Sequence, residues 1–243
     1  TEAQQEVAME VAQEVLNILD GNPAKSTVNM PFVPPDVHQV VAPYMETATT
    51  LGKLATQLLD GQFISITIHY SGELANYDTS MLKAATLVGL LSGVTEERVN
   101  LVNAGVISAQ RDLRIIEQKD PTHSDYPSLI TLAIRTDKSS ISISGTRIQG
   151  ETHIVRAKDY TLDVVPSSSY LLFIENEDQP GTIGDLGTVT GKHDINIAFM
   201  AVGRQAPRAK AMMVVGLDEH MPKSVIDEVC AIKHIIDARL AKL

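Results

Sequence analysis

The chain opens with a pattern of apolar residues at helical spacing. Val7, Val11, Val15 and Ile18 recur every three or four residues, and Glu and Gln lie on the opposite face. Apolar residues at this spacing lie on one side of an α-helix. The pattern therefore predicts an amphipathic helix over residues 1–21.

The ends of this helix and the segment after it carry their own signals. Thr1 and Gly21 stand where an N-terminal and a C-terminal helix cap belong. The segment from Asn29 to Pro43 is rich in proline, which interrupts helices and central strands. We therefore expect an extended linker there.

The block from residue 44 to residue 166 mixes helical and alternating patterns. An apolar stripe from Met45 to Leu59 predicts a helix, and residues 63–72 alternate as a strand does. This order of elements predicts helices packed over a sheet. Further helices are expected over 76–93 and 98–111, and further strands at 113–118, 128–136, 140–145, 152–157 and 160–165.

The last block, residues 169–243, has the sharpest pattern. It reads strand, helix, strand, strand, helix, strand, which is the ferredoxin-like βαββαβ arrangement. The predicted fold class is therefore α+β, with an α/β block followed by a ferredoxin-like domain. The strands are expected at 170–176, 195–203, 209–217 and 235–243, and the helices at 181–193 and 222–232.

Composition narrows the class of protein. A formal net charge of −10 argues against nucleic acid or an anionic membrane as the main partner. Cys230 is the only cysteine, which excludes an internal disulfide, and we expect a buried spectator thiol. No apolar run approaches the length of a membrane span. We expect a cytoplasmic protein.

The loop that begins at Asp178 is the strongest candidate for ligand chemistry. Gly181, Gly184 and Gly187 are spaced G-x-x-G-x-x-G, which lacks the tight first turn of a dinucleotide site. They also fit a helix face that packs closely. Alternatively, Asp178 receives a ligand ammonium while the helix N-terminus receives its carboxylate, as suits a free amino acid. Asp178 as a simple helix cap explains the same residues.

A second group of residues could bind an anion. Arg147, His153, Arg156 and Lys158 lie close together in the sequence, between Gly145 and Tyr160, and could hold a phosphate. A solvated strand face explains them as well. The histidines lack metal-ligand spacing, and no nucleophile motif is present, so we assign no catalytic and no metal residues.

Several segments of the chain resemble one known protein family, and they occur in the same order as in that family. The sequence IENEDQPGTIGDLGTVTGKHDINIAFMAVGR resembles the ACT domain of D-3-phosphoglycerate dehydrogenases. VNMPFVPPDV, PYMETATTLGKLATQLLDG and SGTRIQGETHIV resemble the linker and intervening domain of its long form. TEAQQEVAMEVAQEVL resembles the helix that follows the family's catalytic histidine.

The resemblance implies a set of domain boundaries and a position for the catalytic residues outside this chain. Residues 1–29 would be the terminal helix and strand of a catalytic region, 30–43 a linker, 44–166 the intervening allosteric domain and 169–243 the ACT domain. The family's NAD-binding fold and catalytic residues would lie before Thr1. The chain would then be a fragment that is inactive alone and holds no cofactor.

The resemblance also implies an effector site. In the family, an amino acid such as L-serine binds between two ACT domains of a homo-oligomer. Carried over to this chain, the site would contain Asn176, Asp178, Gly181, Thr182 and Asn196. The intervening domain would bind substrate or another phosphorylated metabolite near Arg147, His153, Arg156 and Lys158.

Two other functions fit parts of the same pattern. The smaller chain of an iron–sulfur L-serine dehydratase pairs a similar middle domain with an ACT domain, although its S-S-H-T-type motif is missing here. A dimerisation module without a ligand is the other. A cysteine-rich partner would indicate the first, and an Asp178 variant without effect would indicate the second.

Overall fold

The computed structural model describes residues 2–19, 31, 33–122 and 125–243. The chain divides into two compact units, residues 1–32 and 33–243. In the first unit, α1 (Glu2–Leu19) confirms the predicted helix, and its Val7, Val11 and Val15 side chains are exposed. Thr1 and Gly21, predicted as caps, lie outside the described residues, as do residues 29, 30 and 32 of the predicted linker.

The linker prediction is wrong for residues 35–43, which are helical. A helix, α2 (Pro35–Val41), is followed there by a 3-10 helix (Ala42–Tyr44). Pro35 occupies the first turn, where a backbone N–H has no helical acceptor, so proline costs no hydrogen bond. The fully buried Val41 anchors α2 to the rest of the unit formed by residues 33–243.

Residues 45–164 form what we call the six-stranded module, with three helices and one mixed sheet. Its strand order is β2-β1-β3-β4-β5-β6, in which only β1 and β2 run parallel. The predicted helices and strands are present, although the helices predicted at 76–93 and 98–111 are shorter. The elements are α3 (Met45–Gln57), β1 (Phe63–Gly72), α4 (Ser80–Leu91), α5 (Ala104–Gln110), β2 (Ile115–Asp120), β3 (Ser128–Thr136), β4 (Ser140–Ile148), β5 (Glu151–Ala157) and β6 (Tyr160–Val164).

Residues 170–242 form what we call the four-stranded module, and they confirm the βαββαβ order. The fully antiparallel strand order β10-β7-β9-β8 is that of a ferredoxin-like sheet. Leu172, Ile174 and Met213 pack with the two helices on one face of this sheet. The elements are β7 (Tyr170–Glu177), α6 (Thr182–Lys192), β8 (Ile197–Arg204), β9 (Lys210–Leu217), α7 (Lys223–Cys230) and β10 (Ile235–Lys242).

Close helix packing occurs at glycines that the sequence did not single out. A Cβ on Gly89 of α4 would lie 2.1 Å from the carbonyl oxygen of Thr49 in α3. Around Gly184 and Gly187 of α6, no described atom lies within 4 Å of such a Cβ. The close-packing interpretation of α6 is therefore wrong, because this helix touches the sheet through its larger side chains instead.

Two further predictions, on the only cysteine and on membrane spans, can be compared with the structure. Cys230 is exposed, which contradicts the expected buried thiol, because it ends α7 on the side away from Val225 and Val229 in the core. Among the described residues, no helix is long and apolar enough to cross a bilayer.

Candidate functional site

The end of β7 holds a buried amide with an unused acceptor. Even-numbered β7 residues face the helices, so Asn176 follows Leu172 and Ile174 into that layer and is only 3% exposed. Its Nδ2 donates a hydrogen bond to the Glu177 carbonyl oxygen at 2.9 Å. Its Oδ1 has no partner in the described chain. A buried acceptor left unpaired costs about 1–3 kcal/mol, which marks this atom as a candidate ligand contact.

The N-terminus of α6 lies a few residues further on. Its N-cap is Gly181, whose φ of 98° suits glycine and which offers no side-chain acceptor to the first helical amides. The Thr182 hydroxyl donates to the Gln179 carbonyl oxygen at 3.1 Å and thereby closes the turn. The first backbone N–H groups and the positive end of the helix dipole are therefore available to an anion.

Asp178 is held by the turn between β8 and β9. Its backbone N–H donates to Ala209 O at 2.8 Å. Its Oδ2 accepts from the Arg208 backbone N–H at 3.2 Å and from the Arg204 guanidinium at 3.1 Å. These two donors lower the pKa of Asp178, so the carboxylate is ionised at neutral pH. Because Gly181 is the N-cap, the helix-cap interpretation of Asp178 is wrong.

Asn196 lies at the opposite end of the sheet from this loop. Asn176 pairs with Ala211 at the start of β9, whereas Ile197, next to Asn196, pairs with Leu217 at its end. Six residue steps along a strand span about 20 Å. Within one chain the structure therefore groups Asn176, Asp178, Gly181 and Thr182, but not Asn196, whose Nδ2 donates to Asp218 at 2.7 Å.

The four basic residues predicted as an anion site are each engaged elsewhere. The Arg147 guanidinium donates to the carbonyl oxygens of Pro43, at 2.6 Å, and Gly150. The other three contact carboxylates, so the structure does not gather them around one open position. These pairs are His153–Asp163 at 2.6 Å, Arg156–Asp125 at 2.9 Å and Lys158–Glu175 at 2.5 Å.

Comparison with known proteins identifies the relatives of this chain. Residues 40–158 match the model of the D-3-phosphoglycerate dehydrogenase intervening domain. The whole chain aligns with D-3-phosphoglycerate dehydrogenases from Synechocystis sp. (38% identity), Methanocaldococcus jannaschii (35%) and Bacillus subtilis (32%). The chain is a relative of the C-terminal half of D-3-phosphoglycerate dehydrogenases. It covers 44%, 46% and 46% of these three relatives, a little under half of each.

The intervening-domain match falls mainly on the six-stranded module. This module contacts the four-stranded module, and the sequence did not predict that contact. Glu175 of β7 accepts from Lys158 Nζ at 2.5 Å and from the Tyr160 hydroxyl at 3.3 Å. Arg239 of β10 binds Asp60 at 2.6 Å and Asp237 at 3.0 Å. The bonds of Glu175 and the Arg239–Asp60 pair join the modules through the sheet face that lies opposite α6 and α7, whereas Asp237 lies on β10 itself.

Alternation along β7 is the signal that could have located this contact. Odd-numbered Leu171 and Phe173 are buried although they face away from the helices, so that face is covered too. The two modules approach each other closely at Gly203 of β8, where a Cβ would lie 2.3 Å from the Thr161 carbonyl oxygen of β6. Glu175 therefore belongs to the contact with the six-stranded module and Asn176 to the candidate site, one residue apart.

Proposed function

We propose that this chain is the regulatory C-terminal portion of an NAD-dependent D-3-phosphoglycerate dehydrogenase and binds L-serine as a feedback effector. The four-stranded module would be its ACT domain. Oxidation of 3-phosphoglycerate, the first step of L-serine biosynthesis, and the NAD site would belong to the remainder of a cytoplasmic enzyme. The observation that carries the proposal is the buried Asn176 Oδ1, which has no partner among the described residues, beside a helix N-terminus without a side-chain cap.

The groups around this loop match the charges of a free amino acid. The N-terminal amides of α6 suit the carboxylate, because the first N–H groups of a helix have no intrahelical acceptor and lie at the positive end of its dipole. The ionised Asp178 suits the ammonium. Asn176 Oδ1 is an acceptor for an O–H or N–H group of the ligand. Serine supplies all of these groups in a small volume.

Asn196 would come from a second copy of the chain. β8 is an edge strand of its sheet, and an edge can pair with the same edge of a second copy around a two-fold axis. If the two β8 strands ran antiparallel with Met200 at the axis, Asn196 of the second copy would face Arg204 of the first. Arg204 contacts Asp178, so both halves of the predicted site would meet there.

Calorimetry of the 243-residue chain with L-serine at millimolar concentration tests the proposal. We expect saturable heat, no comparable heat with D-serine, and loss of the heat in Asp178→Asn. Asp159→Asn, which removes an exposed acid of the six-stranded module, is the matched control and should bind as the parent does. Absence of heat from a chain with intact circular dichroism would count against a serine site.

Sedimentation and copurification separate the alternatives. A dimer that binds no serine would indicate a ligand-free dimerisation module. Stable association with a cysteine-rich iron–sulfur chain would indicate a serine dehydratase subunit instead. We expect a serine-binding dimer without such a partner.

A phosphorylated metabolite has a better location in a groove that only Lys158 of the four basic residues lines. A groove of about 430 Å³ lies on the sheet face of the six-stranded module that points away from its helices. Hydroxyls of Ser65, Thr67 and Ser142 line it around the small Ala133, and the Arg135 side chain has no partner among the described residues. Pockets of this size hold small ligands. Loss of 3-phosphoglycerate binding in Arg135→Gln would support the groove as the metabolite site. Unchanged binding would mean that the metabolite binds elsewhere.

A further inference from the structure

The turn between β8 and β9 holds Asp178 through one carboxylate oxygen only. Both the Arg204 guanidinium and the Arg208 backbone N–H bind Oδ2. Arg208 has a left-handed φ of 63° in this turn, next to Ala209, whose carbonyl oxygen accepts the Asp178 N–H. Three hydrogen bonds from the end of β8 and the turn after it therefore fix the backbone and the side chain of Asp178, while Oδ1 has no hydrogen bond within the described chain.

We propose that Arg204 is a positioning residue of the amino-acid site, which holds Asp178 by Oδ2 and leaves Oδ1 free for the ligand ammonium. This inference rests on the proposed function. A ligand bound at Oδ1 would not displace the guanidinium, because an ionised carboxylate accepts on both oxygens. Arg204 thus assists the ligand and does not compete with it for Asp178.

The charges around Asp178 determine how strongly Arg204 acts. Arg204 and Arg208 lie on the turn side, whereas the Glu177–His234 pair adjoins Asp178 along β7 and Asp185 lies in the first turn of α6. Hydrogen bonds and charges of the two arginines favour ionisation of Asp178, and the loss of surrounding water opposes it. The Arg204 side chain is 55% exposed, so solvent screens part of its effect.

Calorimetric titration with L-serine from pH 3 to pH 8 tests this role in Arg204→Gln, Arg204→Lys and Arg98→Gln. Exposed ion pairs are weak, so we expect Arg204→Gln to reduce affinity about two- to fivefold at neutral pH. Its acid limit of binding should move upward by about half a pH unit, because Asp178 would protonate more readily. Arg204→Lys should restore much of both, and Arg98→Gln, remote from the site, should change neither.

The outcomes separate this inference from the proposed function. If the parent chain binds serine but Arg204→Gln has the same affinity and acid limit, Arg204 has no positioning role and the serine site stands. Tighter binding by Arg204→Gln would show competition, which also overturns the inference. If the parent chain binds no serine, both fail. Equal melting temperatures of the variants exclude a folding defect as the cause of weaker binding.

Discussion

The two sheets of this protein use their second faces in opposite ways. Both are covered by helices on one side. The other face of the six-stranded sheet is part-exposed and carries small polar residues such as Ser65, Thr67 and Thr131. The corresponding face of the four-stranded sheet is covered by the six-stranded module and carries Leu171, Phe173 and Glu175. Polar residues on an open face form a groove, whereas polar residues on a covered face must be paired.

The largest expected effect on stability comes from replacing one alanine with leucine on each of the two faces. Ala241 on the covered face is fully buried opposite Leu171, whereas Ala133 forms the floor of the open groove. Ala241→Leu should lower the free energy of unfolding by about 2 kcal/mol, because an overpacked site forces its neighbours apart. Ala133→Leu should change it by less than about 0.5 kcal/mol. Urea unfolding of both variants measures the difference, and equal losses would mean that both faces are packed.

A smaller effect is expected from Glu175→Gln at the contact between the modules. The Glu175 side chain is 17% exposed, and the change weakens its bonds to Lys158 and Tyr160. Loss of one charge-assisted bond in this setting should cost about 1 kcal/mol. Hydrogen exchange should also become faster in β5 and β6. Glu151→Gln, an exposed acid on β5, is the control. Unchanged exchange in Glu175→Gln would show that this bond does not hold the modules together.

The smallest effect concerns the ionisation of tyrosines. Burial, followed by the charge of Glu175, raises the pKa of Tyr160 to about 12, and burial also raises the pKa of Tyr70. Because the unfolded chain loses these protons near pH 10, the two groups destabilise the fold as pH rises from 10 towards 12. Absorbance titration should show Tyr160 ionising late, and Tyr160→Phe should remove that step. A Tyr160 that ionises near pH 10 would mean that the modules separate readily.

The sequence predicted the elements better than it predicted the contacts. The βαββαβ order followed from apolar periodicity, because each strand and helix buries one side locally. The proline pattern failed at Pro35, since proline fits a helix when it occupies the first turn. The loop at Asp178 was located from its motif. Its attachment to Arg204, and the distance of Asn196 from it, depend on strand pairing that periodicity does not specify.

Strand β7 also constrains how proteins of this kind can change over generations. Asn176 and Glu175 occupy opposite faces because side chains alternate along a strand, so inserting or deleting one residue in 171–175 would exchange their environments. The carboxylate would then be buried under α6, and the amide would be left against Lys158. Substitutions within β7 can accumulate one at a time, but a change in its length cannot. Homologous chains should therefore vary in length at the β8–β9 turn and keep β7 constant.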